Sequence, residues 1–126
     1  MEAGVMEETA MTEAEASSLP IHVETIAKTV ERAWEMALGT STREEIDLRT
    51  AQLIGHLNLV AEECRTLDKE KYPRVWLLLR AVDKHLAEGA LPSRRAHAHD
   101  AYHFMRDSAI FTSSLLGALT LAREHQ

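Results

Sequence analysis

Residues 46–67 read IDLRTAQLIGHLNLVAEECRTL, and their spacing decides the fold. Ile46, Thr50, Leu53, Leu57, Val60, Cys64 and Leu67 step 4-3-4-3-4-3. An α-helix turns once in about 3.6 residues. These seven side chains therefore form one stripe, an a/d seam of about three heptads. Just upstream, Ser41 with Glu44, or Thr42 with Glu45, has the spacing of a capping box that opens such a helix. The seam suits either a helix of a bundle or the strip along which two copies pair.

Three further helical segments flank this one. Upstream, PIHVETIAKTVERAWEMALG (20–39) places Ile21, Ile26, Val30, Ala33, Trp34 and Ala37 three to five apart. Pro20 fits a first helical turn, where its missing N–H has no partner to lose, and Gly39 is a natural stop. Downstream, DKEKYPRVWLLLRAVDKHLAEGA (68–90) carries Tyr72, Val75, Trp76, Leu79, Val82 and Leu86 on one face. Leu77 and Leu78 add apolar area beyond that face, which predicts the most buried helix of the set, ended by Gly89. The last segment, residues 91–126, starts at Pro92 and Ser93. Tyr102, Met105, Ala109, Leu116 and Leu119 make one stripe, and Phe104, Phe111, Leu115 and Ala118 a neighbouring one. Two stripes exceed the needs of one small core, and Gly117 with Ser113 and Ser114 allows close approach of another helix. With the seam, they predict a homodimer.

No strand-period run and no hairpin dipeptide occurs. The chain thus reads as an all-α, four-helix up-down bundle, with one domain over residues 20–126. Residues 1–19 contain five Glu and no Lys or Arg. Low hydropathy with one sign of charge reads as a disordered acidic tail. Of the net −6, residues 20–126 keep only −1, with 15 acids against 14 bases. Such a domain carries no basic stripe for nucleic acid and no polybasic segment for an acidic membrane surface. The acidic start has neither part of a secretory signal, and no apolar run approaches the roughly 20 residues needed to span a bilayer. One cysteine, Cys64, excludes an intramolecular disulfide and a cysteine-based zinc site. The expected compartment is the cytoplasm.

Chemistry-bearing residues gather in SRRAHAHDAYH (93–103). His99 and His103 are four apart and share a helix face. They are weak metal candidates, because the bundle di-iron pattern needs Glu-x-x-His on two helices and none occurs here. Arg94 and Arg95 sit where a helix start already favours anions, so they are candidate anion ligands. His56 lies one step off the seam, either as a half-buried structural histidine or as a general base alongside His99 and His103. Cys64 occupies the seam itself, and Glu62 and Glu63 beside it disfavour a thiolate. Trp34, Trp76, Tyr102 and Phe104 are candidates to line an apolar pocket between helices. Phosphate-cradling and metalloprotease motifs are absent, and no cofactor is implied.

Four stretches, LPIHVETIAKTVERAWEM, STREEIDLRTAQLIGHLNLVAEEC, PRVWLLLRAVDKHLAEG and LLGALTLAREH, together cover about residues 19–124. Their order resembles a family of small actinobacterial proteins, a domain of unknown function labelled natural product biosynthesis protein. The resemblance rests on a T-R-E-E-like cap, an I-G-H-like step in the second helix and apolar spacing. It departs at HAHDAYH (97–103), where an arginine-richer helix is expected. The resemblance implies a cytosolic setting in specialised metabolism and no particular reaction. The reading that follows is a small helical accessory protein that binds a ligand or partner, either another biosynthetic protein or a hydrophobic small molecule, without catalysis of its own. Two alternatives stay open: a bundle enzyme using the histidines (a cyclase, an isomerase or a metal-dependent enzyme) and a regulatory interaction module. An enzyme or ligand binder calls for an enclosed polar-lined pocket, an interaction module for an apolar patch.

Overall fold

Caps and seams become four helices in the computed structural model, which describes residues 22–88 and 97–124. They are α1 (Val23–Glu35), α2 (Arg43–Cys64), α3 (Pro73–Glu88) and α4 (Ala98–Glu124), with no strand among the described residues. The expected tail (1–19), the start signals Pro20, Pro92 and Ser93, the stop Gly89, and the anion candidates Arg94 and Arg95 all lie outside the described residues.

Of the two possible caps for α2, the Thr42–Glu45 pair forms. The Glu45 backbone N–H donates to Thr42 Oγ1 at 3.1 Å, and the Thr42 N–H donates to Glu45 Oε1 at 2.7 Å. Two otherwise orphaned donors are satisfied reciprocally. From this start the seam runs inward: Ile46, Leu53, Leu57, Val60 and Cys64 are fully buried, and Thr50 nearly so. The Thr50 hydroxyl donates to the Ile46 carbonyl at 2.8 Å, so its burial leaves no polar group unpaired.

α2 packs most extensively against α4, and the two run in the same direction. Ile46 shares a core cluster with Ala101 at their starts. At their ends Cys64 Sγ lies 4.0 Å from the Leu115 carbonyl, and Glu63 pairs with Arg123 at 2.6 Å. α1 runs antiparallel to both: Ala33 joins the cluster at their starts and Ile26 the cluster at their ends. α3 is antiparallel as well, with Tyr72 Oη donating to the Ala122 carbonyl and His85 reaching Ser108. α1 and α3 do not pack on each other among the described residues. The result is an up-down-up-down bundle with the α2–α4 pair at its centre.

This arrangement corrects three expectations. α3 is not the most buried helix: Val75, Leu79 and Val82 face in, but Leu77 is 64% exposed and Leu78 only half-buried. A helix that touches the core on one side can bury only one stripe, and the run Leu77–Leu78–Leu79 spans more than that. α4 is instead the central element, and it needs two apolar stripes because it packs on all three other helices. Both the seam and the α4 stripes that motivated a homodimer are thus used within one chain. The third correction is small: α1 ends at Glu35, four residues before Gly39. Met36 turns to extended backbone, its carbonyl accepts from Tyr102 Oη at 3.0 Å, and Met36 and Leu38 pack on the core. Tertiary contacts stop the helix before glycine does.

Candidate functional site

The candidate histidines occupy separate places. His56, on the inner edge of α2, is half-buried against α1. Its Nε2 lies 3.1 Å from Thr29 Oγ1, whose own proton goes to the Thr25 carbonyl, leaving His56 Nε2 as the donor. Burial pushes the His56 pKa down, which holds the ring neutral. His99 and His103 sit together on the exposed start of α4, with their Nε2 atoms 3.1 Å apart. Asp100 lies 4.0 Å from the opposite nitrogen of His99. The fold does not bring His56 into contact with this pair.

A histidine outside the candidate set has the more elaborate environment. His85 of α3 stacks on Phe104 with ring centroids 4.4 Å apart and planes 15° apart, and tilts against Phe111 at 4.9 Å. Its Nε2 donates to Ser108 Oγ at 2.9 Å, because the Ser108 hydroxyl is committed to the Phe104 carbonyl at 2.8 Å. Burial lowers the His85 pKa, with Asp107 opposing. Ser108 is fully buried, so this histidine–serine pair joins helices and offers no exposed nucleophile. Cys64 is likewise sealed: burial, against weaker opposition from Arg123 and Arg65, pushes its thiol up to about 11. A thiol of that pKa carries almost no thiolate near neutrality.

The four pocket aromatics are dispersed. Trp34 and Tyr102 meet through Arg106, whose guanidinium lies 4.3 Å from the Trp34 ring centroid and donates to Tyr102 Oη at 3.2 Å. Phe104 belongs to the His85 stack between α3 and α4. Trp76 stands at the α2–α3 turn and donates from Nε1 to the Leu67 carbonyl at 3.0 Å. No one pocket holds them all.

Trp34 lines a hollow of about 240 Å³ between α1 and α4, and two larger open grooves lie on either side of the start of α3. One, of about 380 Å³, runs over Trp76 and Leu77 with Arg65, Lys69, Arg80 and Asp83 at its edges. The other, of about 520 Å³, is more apolar and lies between Tyr72, Val75 and Leu78 of the α3 side and Ala118 and Leu121 of α4, with Lys71 and Arg74 at its rim. Pro73 lines both. Arg65 is tied to Asp83 at 2.5 Å. Lys69 lies over the Trp76 ring and Lys71 over the Tyr72 ring. Arg74 and Arg80 have no ion-pair or hydrogen-bond partner among the described residues. The outer face of α3 is thus a ridge of exposed leucine between two grooves, edged by arginine and lysine.

The sequence marked the leucines as surplus apolar area but assigned them to burial, and it passed over Arg74 and Arg80 because each is ordinary alone. The signal that marks this face is the run of three consecutive leucines, which a one-sided helix cannot bury in full. Among the described residues, no helix is long and apolar enough to cross a membrane, and no group of three or more potential metal ligands converges. No family model, no curated protein and no solved structure matches this chain.

Proposed function

We propose that the chain is a small helical binding module that docks an acidic, apolar-faced segment of a protein partner on the outer face of α3. The observation that carries this reading is Leu77, 64% exposed on a ridge between two grooves whose rims hold Arg74 and Arg80, neither paired among the described residues. An exposed apolar strip with cations at its edge matches a partner helix that presents leucine-like anchors and carboxylates. The chain as a whole is net −6, so the attraction is local to this face. Open grooves in place of an enclosed polar pocket favour partner binding over catalysis, as does the separation of His56 from His99 and His103. An accessory role in specialised metabolism, in the cytoplasm, follows from the family resemblance alone.

Affinity capture from the native host lysate with four baits tests this. The baits are the full-length protein, Leu77→Asp, Arg80→Glu and, as a control on another face, Leu48→Asp. Leu48 is 61% exposed on α2, away from the grooves. A partner held by the wild type and by Leu48→Asp, lost with the two α3 variants and released by raised salt, is the expected result. Equal capture by Leu77→Asp and the wild type overturns the reading.

A further inference from the structure

We propose that His99 and His103 form a two-histidine binding site for a divalent transition metal of tetragonal preference, Cu(II) above Ni(II). The two rings stand one helical turn apart, both exposed, with Nε2 facing Nε2 at 3.1 Å. A hydrogen bond across this gap uses one proton, so the accepting nitrogen presents its lone pair to the gap. A small rotation of both rings points two lone pairs at a common ion. With metal–nitrogen bonds of about 2.1 Å, nitrogens 3.1 Å apart subtend an angle of about 95°. That is the angle between neighbouring ligands in a square-planar or tetragonal site, the geometry of Cu(II) and Ni(II) with nitrogen and oxygen donors.

The surroundings favour the metallated form. Asp100 Oδ1 lies 4.0 Å from Nδ1 of His99, the nitrogen that must carry the proton once Nε2 binds a metal. At that distance the carboxylate is beyond hydrogen-bond reach, and its negative charge attracts a bound cation. Tyr102 sets its ring edge-on to His103, with centroids 5.8 Å apart. The rings ride on α4, the helix anchored along its length by the core, so their backbone spacing is fixed in advance. No third protein ligand joins them among the described residues, so water from solvent completes the coordination. This site is separate from the α3 face and stands or falls without it.

Titration of the untagged, full-length protein with Cu(II), read by calorimetry and electron paramagnetic resonance, tests the proposal. Wild-type protein is expected to bind one Cu(II) with hyperfine structure from two equivalent nitrogens. Either single variant, His99→Ala or His103→Ala, loses the chelate and with it about 100-fold in affinity. The double variant loses the two-nitrogen signal, while His22→Ala, just before α1, keeps it. Acidification weakens binding, because imidazole ligates only when neutral. A double variant that binds Cu(II) as the wild type does, or a wild-type spectrum without two nitrogen ligands, overturns the proposal. Circular dichroism of all variants separates loss of metal from loss of fold.

Discussion

The seam of α2 and the outer face of α3 carry similar leucines and put them to opposite use. On α2 the apolar residues keep a 3.5-residue period, and Leu53 and Leu57 are fully buried between neighbouring helices. On α3 the run Leu77–Leu78–Leu79 ignores that period, and only Leu79 is fully inside. A periodic stripe is what a helix can hide. Apolar residues in excess of it stay exposed, with Arg80 beside them. The difference teaches that burial is read from spacing, not from the number of leucines.

The contrast is most severely tested in the seam. Leu57→Ala removes a fully buried side chain from the α2–α4 contact and is expected to cost about 3 kcal/mol. Urea unfolding followed by circular dichroism measures it. A cost below about 1 kcal/mol would mean that the seam is not the packed centre, and the contrast with α3 would dissolve. One step down, Thr42→Ala removes the side-chain half of the capping box, the Oγ1 that accepts from the Glu45 N–H, leaves the backbone half in place, and is expected to cost about 1 kcal/mol in the same assay. Because the cap starts the helix that bears the seam, the loss appears as lower global stability.

Solution pH probes the contrast through the half-buried histidines. Burial holds His56 and His85 below their usual value of 6.5. Beneath that pH the unfolded chain binds more protons than the folded one, so stability is full above it and falls as pH drops towards the folded values. A lower melting temperature at pH 5.5 than at pH 7.5 is expected, with a flatter profile for His56→Gln and His85→Gln. Glu45 acts in a different window, because the two hydrogen bonds with Thr42 hold its carboxylate below 4.5 and protect folding until more acid conditions. A profile equally steep in the glutamine variants would place the titration elsewhere.

How much of this was legible depends on whether a feature is local or shared. The seam, the presence of a capping box and the all-helical class follow from spacing within one segment, whereas the choice of Thr42–Glu45 over Ser41–Glu44 does not. The end of α1 does not: Gly39 is a stop in isolation, but the Tyr102 bond to the Met36 carbonyl, 66 residues apart in sequence, ends the helix earlier. The role of α4 was hidden for the same reason. Two apolar stripes on one helix read as a surplus until it is known to touch three others. The His85–Ser108–Phe104 cluster joins α3 to α4 through residues that no motif links. The adjacency of His99 and His103 was legible, since i and i+4 face each other on any helix. The 3.1 Å gap that makes it a chelating geometry was not.

The smallest expected effect is also the sharpest on α3. Leu77→Ala should change folding stability by less than about 0.5 kcal/mol, since it removes a side chain that water already surrounds. Asp83→Ala, which frees the exposed Arg65 of its partner, should cost under about 1 kcal/mol. Read beside Leu57→Ala, these values state what the ridge is for. A small value for Leu77→Ala is what the proposed docking face requires, since a leucine that contributes nothing to folding is free to contact a partner. If Leu77→Ala instead costs as much as Leu57→Ala, Leu77 is packed in the folded protein. The ridge would then be part of the core, and the docking surface would have to be sought on another face, around the exposed Leu48 and Leu59 of α2.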